Sequence, residues 1–358
     1  MANLIDYVIW RGDLSFSASN FNAIDNMIFS EIAYMDYENI VSSFPSLDKI
    51  AFNKATDTLF NVVEKKDIVL GLILPHEVIE LADKIKDSNR YSKISMSNYI
   101  NIISKEEKMQ FSAMCFHINK NLIYIAFRGT DDTLIGWQED LDMVHTFPVP
   151  AQKMASKYVN QIAELFPECN LILGGHSKGG NLATYASIYC KKEVKQRIVN
   201  VYNNDGPGFN KGHLNLEKIK EVQNKIIRII PKESIIGVVF DDYSGTTMIV
   251  DSKVKGLYQH DAFKWEILGN SFVLVDNLSD NSVKLDNAVT KMLEKMDHKE
   301  RTSFAKNVFD FITLLNKNTL IDCQKDVFGM LKYVNTINPK NRKIFMELMY
   351  NLVKYKQI

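Results

Sequence analysis

The sequence predicts an α/β protein with a mainly parallel sheet covered by helices on both faces, and with helical regions flanking the sheet at both ends of the chain. The prediction follows from two changes of pattern along the 358 residues. Residues 1–100 have mainly helical apolar spacing, and helical spacing returns in residues 276–358. Between them, in residues 101–275, short apolar runs alternate with helical stretches, which is typical of parallel strands joined by helices.

The helical interpretation of residues 1–100 depends on apolar residues that recur every three or four positions. After Asn20, a candidate N-cap, they are Phe21, Ile24, Ile28, Ile32 and Met35. Such spacing places apolar side chains on one face of a helix. We therefore expect the N-terminal helices to pack by that face against a core.

The central region begins with a predicted β-hairpin, residues 110–118 and 122–127, joined by an Asn-rich turn. Helices and strands alternate after it. The predicted elements are a helix over 154–165, a strand over 171–173, a helix over 179–190, and strands over 198–202, 226–230 and 246–250. This alternation predicts the parallel part of the sheet.

Composition excludes several classes of protein. Lys plus Arg and Asp plus Glu both number 43, so no strongly basic surface for nucleic acid is expected. The cysteines are scattered without CxxC spacing, which predicts neither a zinc site nor a disulfide framework. They are Cys115, Cys169, Cys190 and Cys323. No metal and no organic cofactor are implied.

The N-terminus has no basic region followed by a long apolar stretch, and no apolar run approaches the about 18 residues of a membrane span. We therefore expect a cytoplasmic protein without a transmembrane segment. Peripheral contact with a membrane and the oligomeric state are left open.

One short stretch carries a chemical signal. Residues 175–179, Gly-His-Ser-Lys-Gly, match G-x-S-x-G, and they follow a predicted strand and open a predicted helix. That setting is the one a nucleophile elbow requires, because a sharp turn lifts the serine hydroxyl above the sheet. Ser177 is therefore the candidate nucleophile.

A serine hydroxyl needs a base, and three histidines follow it in the chain. His298 lies in a charged junction between helices and is expected to be exposed, while His213 comes too early to leave room for the later strands. His260 follows the last predicted strand and is the preferred base. The ring of His176 should diverge from the serine hydroxyl.

The carboxylate that would orient the base is Glu233 or Asp205. Glu233 directly follows a predicted strand and precedes the histidine loop, while Asp205 ends the preceding strand, and Glu233 is preferred. Asp241 and Asp242 also remain candidates. Two donors must face the oxyanion, and the loop after residue 127 supplies Thr130 as one while the backbone N–H of Lys178 is the other.

Three motifs together resemble the lipase class 3 branch of α/β-hydrolases. They read AFRGT at 126–130, GWQED at 136–140 and GGHSKGGNLA at 174–183. YVIWRGDL at 7–14, DGPGF at 205–209 and QHD at 259–261 resemble more closely a bacterial group of lipase-like proteins. The resemblance covers residues 1–275. It implies an α/β-hydrolase fold, Ser177 as nucleophile, His260 as base, and Thr130 and Lys178 as oxyanion residues.

The chain departs from the lipase pattern in two places. Where class 3 lipases commonly have an aspartate after the penultimate core strand, this chain has Glu233, and residues 204–207 read Asn-Asp-Gly-Pro. The expected function is a serine hydrolase of carboxylic esters, lipid or acyl esters among them, acting through an acyl-enzyme. The alternative is a catalytically idle scaffold of the same fold that binds an acyl ligand or a protein partner.

Overall fold

The computed structural model describes residues 2–314, apart from 69, 71–74, 132 and 211, together with Arg342. Its main sheet has eight strands, which lie side by side in the order of the sequence. The strands are β1 (Ile50–Ala51), β2 (Ser95–Ser104), β3 (Met109–Asn119), β4 (Leu122–Phe127), β5 (Asn170–His176), β6 (Ile198–Asn204), β7 (Ile226–Pro231) and β8 (Thr246–Val250). A two-stranded sheet is formed by β9 (Ile267–Leu268) and β10 (Ser271–Phe272).

Strands β1 to β4 pair antiparallel, and β4 to β8 pair parallel. The predicted hairpin is confirmed as β3 and β4, with Asn119 opposite Leu122 at the turn. The predicted fold class is also confirmed, because the central sheet is mainly parallel and carries helices. All five parallel strands end at the same edge of the sheet.

The described residues also contain eleven α-helices. They are α1 (Leu4–Arg11), α2 (Ala23–Ile32), α3 (Phe52–Val62), α4 (Glu77–Lys86), α5 (Leu134–Asp142), α6 (Pro150–Leu165), α7 (Lys178–Tyr189), α8 (Lys192–Arg197), α9 (Leu216–Lys220), α10 (Asp280–Glu294) and α11 (His298–Leu314). None of the helices in this part of the chain has both the length and the apolar character needed to cross a membrane.

The two faces of the sheet are covered by different parts of the chain. Right-handed crossovers between parallel strands in sequential order place their helices on one face. That face holds α6 and α7, and β4 contributes Ile123 and Ile125 to its core. The opposite face receives α1 to α4 and contains Tyr124 and Ala126 of the same strand. Helices therefore cover both faces, as the sequence predicts.

The sequence pattern did not predict β2. Residues 95–104 belong partly to the region expected to be mainly helical, yet they pair with β3 along their length. The pairing shifts register between Ser97 and Ile100, and Asn98 has a φ of 57°. This irregularity breaks the apolar alternation by which a strand would be recognised.

The C-terminal helices α10 and α11 form a smaller third core with the loop after β7. Its buried residues include Ile235, Val238, Leu285 and Phe304. Of the cysteines, Cys323 lies outside the described residues. The other three are buried and free of disulfide bonds, as follows: Cys115, Cys169 and Cys190.

Candidate active site

Ser177 lies on a strained turn between β5 and α7. Its φ of 57° and ψ of −131° fall outside the regions that residues with a side chain normally occupy. The turn is this sharp because α7 packs directly on the end of β4. An added Cβ on Gly175 or on Gly179 would collide with the carbonyl oxygen of Phe127. The glycines of the motif thus let the helix approach, and the serine is placed at the edge where the parallel strands end.

His260 and Asp205 form a close pair at the same edge. Nδ1 of His260 lies 2.6 Å from Oδ2 of Asp205, the side chain of the aspartate is 1% exposed, and that of the histidine is 14% exposed. The other carboxylate oxygen of Asp205 accepts a hydrogen bond from the Ser234 hydroxyl at 2.5 Å and one from the Gly237 N–H at 3.1 Å. An ionised carboxylate can only accept, so Nδ1 carries the proton and Nε2 of His260 is left as the basic nitrogen.

Glu233 is engaged elsewhere. Its carboxylate Oε2 accepts the Gly256 N–H at 2.6 Å, and its own N–H donates to the Gln259 side chain at 2.8 Å. Both contacts hold the loop that carries His260. The structure therefore brings Asp205, the second carboxylate considered, to the imidazole, and it gives the preferred Glu233 a role in fixing the loop. The reason is position, since Asp205 directly follows β6, the strand next to β5.

The other candidates lie away from this pair. Asp241 accepts from the Tyr243 hydroxyl, and Asp242 forms an ion pair with Arg228 at 3.1 Å. His298 is exposed, as expected. The ring of His213 stacks on Phe147, with 4.9 Å between ring centroids.

A second carboxyl and imidazole lie beside the first pair. Nδ1 of His176 is 3.2 Å from Oε1 of Glu31, a residue of α2, and both side chains are buried. The ring centroids of His176 and His260 are 4.6 Å apart. Burial, followed by the charge of Asp261, raises the pKa of Glu31 well above its usual value. Burial and then His260 lower the pKa of His176.

Glu31 was missed by sequence reasoning. It lies between Ile28 and Ile32, within the apolar pattern that predicts α2. An acidic residue within an apolar helical pattern indicates a carboxyl group that is paired or neutral, since an unpaired charge is rarely buried.

The loop after β4 supplies Thr130. Its hydroxyl donates to the carboxylate of Asp140 on α5, and the carbonyl oxygen before it, that of Gly129, accepts from the Gln110 side chain at 3.4 Å. Burial raises the pKa of Asp140 to about 6, against the opposing effects of the nearby Lys178 ammonium and the Thr130 hydroxyl. The engaged hydroxyl leaves the backbone N–H of Thr130 as the group that can face an oxyanion.

Lys178 is the first residue of α7, so its N–H has no partner within the helix. Its side chain points into the protein and is 2% exposed, with the ammonium 2.7 Å from the Glu139 carboxylate. Sequence reasoning considered only the backbone of Lys178. Glu139, fully buried on α5, was also missed.

Comparison with known proteins identifies one family. A family model described as Mbeg1-like, a lipase class 3-like family, matches residues 85–310 and confirms the resemblance predicted from the sequence motifs. No curated protein matches the chain.

Several solved structures are similar to this chain. The crystal structure of M37 lipase is 12% identical over 62% of this chain and 71% of that chain, with a TM-score of 0.39. A mutant of MDLA from Penicillium cyclopium is 13% identical over 71% of this chain and 85% of its own, with a TM-score of 0.36. Lipase II from Rhizopus niveus is 15% identical over 51% and 74%, with a TM-score of 0.33.

Proposed function

This chain belongs to the Mbeg1-like family, and on that premise we propose that it is a serine hydrolase that cleaves carboxylic esters. The observation that carries the proposal is the hydrogen-bonded pair of His260 and Asp205, at 2.6 Å, at the sheet edge where Ser177 occupies a strained turn. A serine hydroxyl becomes a useful nucleophile when an imidazole takes its proton and a carboxylate fixes the tautomer of that imidazole.

The proposed reaction passes through an acyl-enzyme. Nε2 of His260 takes the proton from Ser177 Oγ while Oγ bonds to the carbonyl carbon of the ester. The imidazolium then gives that proton to the departing alcohol oxygen. A water molecule, deprotonated by the same nitrogen, attacks the acyl carbon, and Ser177 regains its proton as the carboxylic acid leaves. Asp205 stays ionised throughout and stabilises the imidazolium.

Three observations favour Asp205 over Glu233 as the acid of this proposal. Asp205 is within hydrogen-bonding distance of Nδ1, its second oxygen is held by two donors, and its side chain is 1% exposed. A carboxylate fixed in this way keeps one orientation toward the ring. Glu233 would have to leave the N–H of Gly256 to reach the ring.

The proposed oxyanion donors are the N–H groups of Lys178 and Thr130. Both lie on segments next to Ser177. Lys178 follows Ser177 in the chain, and Thr130 lies in the loop after β4, the strand that pairs with β5. Removing one such donor from a serine hydrolase typically costs about 3–4 kcal/mol of transition-state stabilisation.

The proposed substrate is a lipid ester or another small-molecule ester, and the proposed location is the cytoplasm. The competing function is an idle scaffold that binds an acyl ligand or a protein partner. The supported carboxylate and the free basic nitrogen of His260 argue for catalysis, because a binding scaffold has no use for an oriented base.

Labelling with a fluorophosphonate probe tests the proposal, since the probe reacts with activated serines. We expect the wild type to be labelled and to hydrolyse p-nitrophenyl esters, and Ser177→Ala to lose both properties while staying folded. Ser187→Ala, a buried serine of the same helix, is the matched control and should keep both. A folded wild type that is neither labelled nor active would favour the scaffold.

A further inference from the structure

The side chain of Lys178 carries a positive charge into the protein interior. Its Nζ donates to Glu139 Oε2 at 2.7 Å and to two oxygens of Gln110, the main-chain carbonyl at 3.0 Å and the side-chain Oε1 at 3.1 Å. A buried ion pair usually adds little net stability, because both charges must be removed from water. Its position directly after the nucleophile therefore suggests a role in the site.

Gln110 connects the ammonium to the oxyanion loop. While its Oε1 accepts from Lys178, its Nε2 donates to the carbonyl oxygen of Gly129 at 3.4 Å. That carbonyl and the N–H of Thr130 belong to one planar trans peptide, in which they point in opposite directions. A donor that holds the carbonyl of Gly129 thus also fixes the direction of the Thr130 N–H.

Glu139 connects the same ammonium to α5 and α6. Its Oε1 accepts the Ala151 N–H at 2.8 Å, and its Oε2 also accepts the Gln110 N–H at 3.0 Å. The next residue, Asp140, accepts the Thr130 hydroxyl and has its other oxygen 3.8 Å from the ammonium. The loop is therefore held at its carbonyl and at its hydroxyl by groups that surround one buried cation.

We propose that the side chain of Lys178 positions the oxyanion hole, by holding the Gly129–Thr130 peptide through Gln110 and Glu139 at a fixed place relative to the N–H of Lys178 itself. This inference depends on the proposed hydrolase function. Donors held in place before the reaction stabilise developing charge without reorganising, and a misplacement of 1 Å can lower a rate about 100-fold. Because the charge develops in the transition state, the effect falls on kcat and leaves KM nearly unchanged.

The double variant Lys178→Met with Glu139→Gln tests the proposal, because it removes both buried charges and keeps both proposed donor N–H groups. We expect kcat for p-nitrophenyl butyrate to fall about 10- to 100-fold, with KM within about threefold of the wild type. The rate constant of fluorophosphonate labelling should fall in parallel, since that reaction also builds negative charge on an oxygen in the hole. Rates are expressed per active site titrated with the probe.

A control removes another ion pair, in which the lysine is buried and the side chain of the carboxylate is 47% exposed. Lys195 is 6% exposed, its Nζ lies 2.7 Å from Glu221, and it belongs to α8, which leads into the start of β6 at the sheet edge opposite to Ser177. Lys195→Met with Glu221→Gln should leave kcat and the labelling rate within about twofold of the wild type. If both double variants lowered kcat equally, general loss of packing would explain the result and the positioning role would be refuted.

Gln110→Met supplies an independent measurement that keeps both charges. It removes the hydrogen bond that the Gln110 side chain donates to Gly129 and the one that it accepts from Lys178, and it keeps the contact between Lys178 and Glu139. We therefore expect a fall in kcat with unchanged KM, and this result decides the matter if the double variant does not fold. Combined with the double variant, its effect should be less than additive, because both changes release the same peptide.

The inference is overturned if folded Gln110→Met, or the folded double variant, keeps kcat within twofold of the wild type. A wild type that is neither labelled at Ser177 nor active would refute the hydrolase proposal itself. An active wild type with unaffected variants would refute the positioning role alone.

Discussion

Two carboxyl–imidazole pairs lie side by side at the edge of the sheet, and they differ in what surrounds them. Asp205 and His260 are 2.6 Å apart, whereas Glu31 and His176 are 3.2 Å apart. The carboxylate of Asp205 accepts two further hydrogen bonds, and the ring of His260 is partly exposed. In the described part of the chain, neither ring nitrogen of His176 has a well-oriented hydrogen bond, and both side chains of its pair are buried.

This difference shows that hydrogen-bond donors to the carboxylate and exposure of the imidazole to water determine which pair can become charged. For Glu31 and His176, burial shifts the two pKa values in opposite directions, raising that of the acid and lowering that of the base. Each shift favours the neutral form of its group. We therefore expect charge separation in the proposed reaction at Asp205 and His260, and neutral forms of Glu31 and His176.

The largest expected effect concerns the pair formed by Asp205 and His260. Asp205→Asn should keep the fold and lower kcat for ester hydrolysis roughly 10⁴-fold, because the imidazolium loses its counter-charge and the imidazole loses its fixed tautomer. Steady-state kinetics with p-nitrophenyl esters measures this, with circular dichroism to check folding.

Glu233 serves as the comparison for Asp205. Its carboxylate contacts the loop that carries His260 but not the imidazole itself. Glu233→Gln should lower kcat less than tenfold. If Glu233→Gln lowered kcat more than Asp205→Asn, the acid would be Glu233. The contrast drawn between the Asp205–His260 and Glu31–His176 pairs would then be wrong.

The second effect concerns the buried pair. Because the pKa of Glu31 is raised in the folded protein, the carboxyl group stabilises the fold most when it is protonated. The stability of the wild type relative to Glu31→Gln should therefore be greatest below pH 4.5 and fall at higher pH, by up to about 1.4 kcal/mol per pH unit. Urea unfolding at several pH values measures the difference.

Other groups that face Glu31 are Asp261, His176 and Tyr34, and they stay unchanged in this comparison. Glu164→Gln, at a carboxyl group whose side chain is 60% exposed, provides the control for the substitution itself. If the stability of the wild type relative to Glu31→Gln rose with pH, Glu31 and His176 would form a charged ion pair and would not be neutral.

The smallest effect concerns Asp140, a carboxyl group that is partly exposed, unlike that of Glu31. Its side chain is 28% exposed, and its pKa is raised to about 6. The stability of the wild type relative to Asp140→Asn should fall between pH 4 and 6 by about 1–2 kcal/mol, after allowance for the partial exposure, and then level off. A decline that continued unchanged above pH 7 would show that Asp140 behaves like Glu31.

Local patterns in the sequence were enough to predict the parts of the site that depend on neighbouring residues. The glycines around Ser177 predict the elbow because the turn, its strand and its helix are contiguous. The position of His260 after the last predicted strand likewise predicts its place at the sheet edge. The choice between Asp205 and Glu233 could not be made in this way, because it depends on where two separate loops meet in space.

The contacts of the buried charged residues could not be predicted from the sequence either. Lys178 and Glu139 have ordinary helical spacing within their own segments, and only the packing of α5 against the elbow brings them together. Glu31 reaches the site from α2, on the face of the sheet that α1 to α4 cover. Single-sequence patterns give no information about such contacts, since the partners are separated by tens of residues or more.

The cover of that face has a consequence for how the chain is made. Helices α1 to α4 leave the ribosome before strands β2 to β10, yet the core that they join includes Val250 of β8 and Phe272 of β10. The cover is thus synthesised before the surface it covers, and its apolar sides cannot be fully buried until most of the chain has emerged. Apolar surface that is exposed during synthesis is prone to aggregation, so chaperone contact with α1 to α4 should raise the yield of folded protein.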